Sequence, residues 1–222
     1  MRFSGLSTPS EARWADATFA ARVAPMAVRG WLHKPLFGTS AGPLFIGRRT
    51  RISNQRYLHH DGRLVIEDDV ELQGLSVEGI RFGAGVSLGR GVTIRPSSYY
   101  GGDVGIGLTV GDRSSFATGC FIGCSGRIEI GRDVMLGPGV RLFSENHIFS
   151  SNEVPIKDQG VQRGTLTIGD DCWIASGVTV TANVRIGSGV VIGAGSVVTR
   201  DVPDFSIAVG SPARVVGTRL EA

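Results

Sequence analysis

Aliphatic residues recur at every sixth position through the C-terminal half of the chain, at Ile168, Ile174, Val180, Ile186, Ile192 and Val198. A second small or aliphatic series follows four residues behind, at Cys172, Val178, Val184, Val190, Ser196 and Val202. A helix would repeat its apolar face every 3.6 residues, and a half-buried strand would alternate and then turn. A period of six with Gly or Ala after the aliphatic, as in Ile168-Gly169, Ile174-Ala175 and Ile192-Gly193, describes a short strand and a tight corner, repeated. Three such units close one triangular coil of a parallel β-helix, so about 18 residues make a coil. Stacked coils bury a continuous aliphatic column that no single repeat could bury alone.

The same period runs through the earlier chain, at Ile46, Ile52, Leu58, Ile66 and Leu72. It shifts register near Gly74 to Gly79 and resumes at Phe82, Leu88 and Ile94. After a break, PSSYYGGD, come Val104, Val110, Phe116 and Ile122, then Ile130, Leu136 and Leu142. At this period the chain holds about seven coils. The pattern divides it into an N-terminal extension, 1–43, a parallel β-helix, 44–210, and a C-terminal tail, 211–222.

The extension lacks the sixfold pattern. From Ser10, a fitting N-cap, EARWADATFAARVAPMAVRGWL reads as helix, with one apolar ridge through Trp14 and Thr18 and another through Phe19, Val23, Met26 and Ala27. Pro25 is expected to kink or split it. Two roles suit such a helix. It could cap the first coil, whose strand edges and core are otherwise open. Alternatively, Arg13, Arg22, Arg29 and Lys34 beside Trp14, Phe19 and Trp31 are the mixture that settles on membrane surfaces.

Composition narrows the classes. The 33 glycines among 222 residues follow the sixfold repeat with 41% apolar content, which separates the chain from collagen and from disordered segments. A net charge of +3 and a pI near 9.0 give no argument for nucleic acid but accommodate an anionic ligand or membrane surface. Cys120, Cys124 and Cys172 form no CxxC pair, which argues against a disulfide framework or a zinc site and for a reducing compartment. No run of about 18 apolar residues and no signal-peptide pattern is present, so a cytoplasmic location, with peripheral membrane contact as an option, is the expectation.

Between Ser144 and Gly164 the register breaks. The segment SENHIFSSNEVPIKDQGVQRG is polar and holds too few aliphatics for a coil, so it should bulge out as a loop, where catalytic residues tend to lie. His147 is its only imidazole, and a neutral imidazole suits removal of a proton from a hydroxyl near neutral pH. Glu145, two residues before it, is a candidate to orient the ring. His59 and His60, in HHDG, read as a solvated pair on a turn.

The strings NHIF, PIKDQG and IGDDCWI, followed by VIGAGSVVTRDVP and VGSPARVV, resemble the hexapeptide-repeat O-acetyltransferases that modify bacterial capsule, O-antigen and exopolysaccharide sugars. The resemblance implies an all-β fold: a left-handed parallel β-helix of hexapeptide repeats with a helical N-terminal extension and one inserted active-site loop, 144–164. It also implies direct transfer from acetyl-CoA to a sugar hydroxyl, without an acyl-enzyme or a metal, in a homotrimer whose sites lie between subunits.

His147 matches the family's catalytic base, and Trp173 a Trp flanking the active-site and pantetheine groove. Ser176, Ala194 and Thr199 match positions lining that groove. Arg200 and Arg214 fall near the nucleotide phosphates, where a planar multi-donor cation is chemically apt. Sugar and antibiotic acetyltransferases of this superfamily carry an Asn on an earlier coil, where this chain has Ala117 or Thr118; a backbone N–H could take its place at the oxyanion.

An amino-sugar nitrogen or an antibiotic hydroxyl is the alternative acceptor. A metal-dependent β-helix would need three converging histidines, a pattern that His33, His59, His60 and His147 do not form. A non-catalytic scaffold would bind no CoA.

Overall fold

The computed structural model describes residues 9–97 and 103–221, with side chains described for 20–97 and 103–220. The side chains of Arg13, Trp14, Thr18 and Phe19 and most of the PSSYYGGD break lie outside the described residues. Seven full coils stack as 39–53, 58–73, 80–95, 107–123, 127–143, 165–180 and 185–198. Each gives one strand to each of three parallel sheets, faces A, B and C, in that order along the chain. The arrangement is the left-handed parallel β-helix implied by the hexapeptide resemblance. Face B alone continues, with Ser206–Gly210 parallel to coil 7 and Ala213–Thr218 returning antiparallel. The strands thus start at Thr39, inside segment 1–43, and half of segment 211–222, Ala213–Thr218, belongs to face B.

Because the period is six, like stacks on like. Ile130, Ile168 and Ile186 are successive Cα partners on face A. Leu136, Ile174 and Ile192 align on face B, and Leu142, Val180 and Val198 on face C. All nine are buried, each contributing roughly 1.5–3 kcal/mol of transfer free energy. The second series, Cys172 to Val202, lines the same core. Val104 departs from expectation: it is exposed in the connection before coil 4, and Leu108 and Val110 supply that layer.

Helix α1 (Pro9–His33) runs unbroken through Pro25, and Ser10 lies within it. Proline forfeits one backbone hydrogen bond, but packing against the first coil fixes this helix regardless of local propensity. Arg29 Nε donates to the Ile46 carbonyl at 2.8 Å. A Cβ at Gly30 would lie 1.7 Å from the Leu44 carbonyl oxygen, so only glycine lets the helix press so closely on the free edge of strand Leu44–Ile46. Met26 is buried in the same contact.

His60 also departs from expectation. It sits on strand Leu58–Asp61, fully buried, with its ring edge-on to Phe37 at 5.9 Å. Nδ1–H donates to the Gly62 carbonyl at 2.7 Å, leaving Nε2 to accept from the Ser40 hydroxyl. Burial, reinforced by Lys34, holds its pKa below 6.5 against the opposing pull of the Gly62 carbonyl. Its folded pKa being the lower one, the stability it gives is full above the unfolded value and is lost as pH falls through the folded one. Urea midpoints should therefore drop between about pH 8 and about pH 5, and His60→Gln should flatten that slope. An unchanged slope in the variant would assign the pH dependence elsewhere.

Candidate functional site

The segment between coils 5 and 6 is a braced arm rather than an open loop. Glu145–His147 pairs antiparallel with Val161–Arg163, and a short 3-10 turn, Ile156–Asp158, lies near its tip. Ser144 stays in the coil: it is buried, its hydroxyl donates to the Gly123 carbonyl at 2.9 Å and accepts from the Gly126 N–H at 2.9 Å. At the tip the Gln159 side chain accepts from the Ser151 N–H at 3.0 Å and donates to the Ser151 and Val154 carbonyls at 2.9 and 2.7 Å. At the base Arg163 donates to the Val104 and Asp103 carbonyls at 3.0 and 3.1 Å, tying the arm to the connection before coil 4.

His147 is exposed and has no side-chain hydrogen bond among the described residues. Glu145 lies two residues before it on the same strand, which puts both side chains on one face of the ribbon. No hydrogen bond joins them. Glu145 stands across from Arg163 in the ladder, while the Arg163 donors go to the backbone carbonyls.

The other candidates fall on different edges of the prism. The arm leaves at the corner between faces C and A, where Thr199 and Arg200 also lie, exposed, after coil 7. Ser176 and Ala194 occupy successive turns of the corner between B and C, with the Gly195 N–H donating to the Ser176 carbonyl at 2.9 Å. Ala117 and Thr118 share this corner at coil 4. Trp173 stands outward on face B, 51% exposed, beside its Cα partner Met135, 54% exposed. Arg214 is exposed on the returning strand, with Nη1 on the Ala213 carbonyl at 2.8 Å. One chain therefore does not bring His147 together with Trp173, Ser176 or Ala194.

The BC corner has a property the periodicity did not reveal. The third residue of each turn takes positive φ, which non-glycine residues meet elsewhere: Arg113, Asp133 and Asp171 at the AB corner, Arg49 and Asp69 at the BC corner of coils 1 and 2. From coil 3 to coil 7 the BC position is always glycine: Gly91, Gly119, Gly139, Gly177 and Gly195. A Cβ at any of the five would meet nothing within 4 Å. Backbone conformation alone does not demand that uniformity; an edge kept free of side chains suits close approach of an extended ligand or another chain.

All three cysteines are buried and free. Burial pushes the Cys120 thiol up to about 11 and raises Cys124 and Cys172 as well, so none is poised as a thiolate nucleophile. No group of three or more His, Cys, Asp or Glu side chains among the described residues is placed to hold a metal ion.

Residues 166–200 match the family of bacterial transferase hexapeptide repeats (six repeats). A putative acetyltransferase of Schizosaccharomyces pombe is 44% identical over 90 residues, 40% of this chain and 42% of that protein. The galactoside O-acetyltransferase of Lactococcus lactis subsp. lactis is 39% identical over 89 residues, 40% of this chain and 42% of that protein. The chain thus spans less than half the length of these relatives. Among solved structures, a variant of AntD, an N-acyltransferase from Bacillus cereus in complex with dTDP-4-amino-4,6-dideoxyglucose and coenzyme A, superposes with a TM-score of 0.58 at 18% identity. That likeness covers 86% of this chain and 88% of the other and is one of fold. Residues 166–200 thus carry hexapeptide repeats of the bacterial transferase kind, and the same coil continues on both sides of that segment.

Proposed function

We propose that the protein is an acetyl-CoA-dependent O-acetyltransferase that acts on a sugar hydroxyl of a surface polysaccharide or its precursor. The observation that carries this reading is His147: an exposed imidazole without a partner among the described residues, on an arm braced at tip and base. The names of the acetyltransferases that resemble the repeat region support the acyl-transfer class.

In this reading the His147 ring takes the proton from the acceptor hydroxyl, and the freed oxygen attacks the thioester carbonyl carbon. The tetrahedral intermediate collapses with cleavage of the C–S bond, and the departing thiolate takes up the proton. Glu145, on the same face of the ribbon, orients the imidazole. The glycine-lined BC edge, with Ser176, Ala194, Trp173 and Met135 alongside, receives the extended arm of the donor. Thr199 borders that path, and Arg200 and Arg214 meet the phosphates.

Since arm and edge lie on different edges of one prism, the working site forms between copies, and a homotrimer with parallel axes brings each arm to a neighbour's BC edge. The protein acts in the cytoplasm. No helix among the described residues is long and apolar enough to cross a membrane.

Gly177→Asn tests the donor path. Asn tolerates positive φ better than other residues, so the fold should persist, while its side chain enters the open edge. The KM for acetyl-CoA is expected to rise by about tenfold or more, with kcat changed less. An unchanged KM would mean that the donor lies elsewhere.

A further inference from the structure

The outward face of α1 is built the wrong way round for a helix facing water. A surface helix presents polar residues to solvent. Here the buried side carries Met26 and Gly30, and the exposed side carries Ala20, Ala21, Ala24, Val28, Trp31 and Leu32. Leu36 extends the stripe just beyond the helix. Trp31 is 72% exposed, and Arg22 is the one charged residue exposed on the described part of the helix.

The charge carried by this part of the chain is one-sided in sequence, although coil 2 sets Glu67 and Asp68 beside Arg48 and pairs Asp69 with Arg49. Residues 17–60 contain seven Arg and Lys and no Asp or Glu, although the whole chain carries only +3, so the remainder is net negative. Arg48, Arg51 and Arg56 are exposed around coil 1, and among the described residues neither Arg48 nor Arg51 has a salt bridge. Since α1 lies on the free edge of the first coil, the apolar stripe and this cationic rim share the open end of the β-helix.

We infer that this end docks on an anionic lipid surface, with Trp31, Leu32 and Leu36 entering the interface and the rim arginines facing the headgroups. The charge decides among occupants. A second copy brought end to end would set two cationic rims against each other. An acidic protein or nucleic acid would satisfy the arginines yet leave an exposed Trp and two exposed leucines in water, whereas an anionic membrane accepts both. The prism axis then stands away from the membrane, and the arm projects sideways from coils 5 and 6, within reach of acceptors carried on lipid. The inference does not depend on acyl transfer.

The full chain is mixed with phosphatidylcholine vesicles, with or without phosphatidylglycerol, and sedimented. Binding is expected only with phosphatidylglycerol, and should weaken steeply with salt. The double substitution Trp31→Ser, Leu32→Ser should lower the apparent affinity by about tenfold or more. Arg48→Gln and Arg51→Gln should each lower it by roughly fivefold. These side chains are exposed, so stability should hold, and thiol release with a soluble acceptor should be unchanged in every variant. Three results would overturn the inference: no sedimentation with phosphatidylglycerol vesicles; equal sedimentation with both kinds; or binding to heparin as tight as to vesicles and indifferent to Trp31, which would mark a polyanion site.

Discussion

Replacing His147 with alanine is expected to lower thiol release from acetyl-CoA, with a hydroxyl acceptor, by about 100- to 10,000-fold, the usual contribution of a general base. The ring is exposed and has no hydrogen bond to lose among the described residues, so the melting temperature should hardly move. Donor binding should persist as well, because the proposed donor contacts are the glycine-lined BC edge, Arg200 and Arg214 rather than the imidazole. His147→Gln keeps a polar side chain of similar reach without a basic nitrogen, and should lose as much. Loss of turnover with retained coenzyme A binding in both variants would support the base assignment. Equal turnover in the alanine variant would place the base elsewhere and remove the central residue of the proposed function. Running the assay in parallel with sugar hydroxyl and amino-sugar acceptors also separates O- from N-transfer, which His147 alone cannot do because an amine must be deprotonated too.

The sequence carried the coil because the signal is repeated. Six-residue spacing specifies where a side chain points and also which residue it stacks on in the next coil, as the Ile130, Ile168 and Ile186 column illustrates. Where the repeat was interrupted, local reading failed for identifiable reasons. Val104 has the right residue type at a plausible spacing, but the connection before coil 4 displaced it from the core. His60 looked solvated because histidine beside Asp-Gly usually is; the buried cradle of Phe37, Ser40 and Gly62 draws partly on the preceding coil and is invisible to a local window. Pro25 should have interrupted the helix, and tertiary contact with the Leu44–Ile46 edge overrode it.

The candidate site was legible only in part, for the same reason. His147 stood out as the lone imidazole of the interruption. The residues that hold its arm did not: Gln159 and Arg163 act through hydrogen bonds to backbone carbonyls, and such bonds leave no spacing to recognise. The glycine edge was written in the chain as one glycine per coil from Gly91 to Gly195. It became informative only once the structure showed Arg113, Asp133 and Asp171 accepting the same positive φ at another corner. A glycine required by conformation and a glycine required by space look identical in sequence.

Phe116→Ala should destabilise the protein by about 3–5 kcal/mol, a large share of a typical folding free energy of about 5–15 kcal/mol. Phe116 is buried on face B of coil 4, between Leu88 of coil 3 and Leu136 of coil 5. Removing the ring leaves a void that the coils cannot close by sliding together. Backbone hydrogen bonds fix their separation, with the Gly89 N–H on the Phe116 carbonyl at 2.7 Å and the Ala117 N–H on the Leu136 carbonyl at 2.8 Å. The cost should therefore lie toward the upper end of the range, because the penalty grows with the volume that stays empty. Coil 4 is also the middle of seven, and in a stack where each unit contacts only its neighbours, weakening the central interface uncouples the two ends. Urea unfolding followed by tryptophan fluorescence should show a lower midpoint and a shallower slope than the native protein, the slope reporting lost cooperativity. Met135→Ala supplies the control: it removes an apolar side chain from the outward side of the same face one coil later and should cost no more than about 0.5 kcal/mol. Comparable losses in the two variants would mean that burial in the aliphatic column is not what holds the coils together.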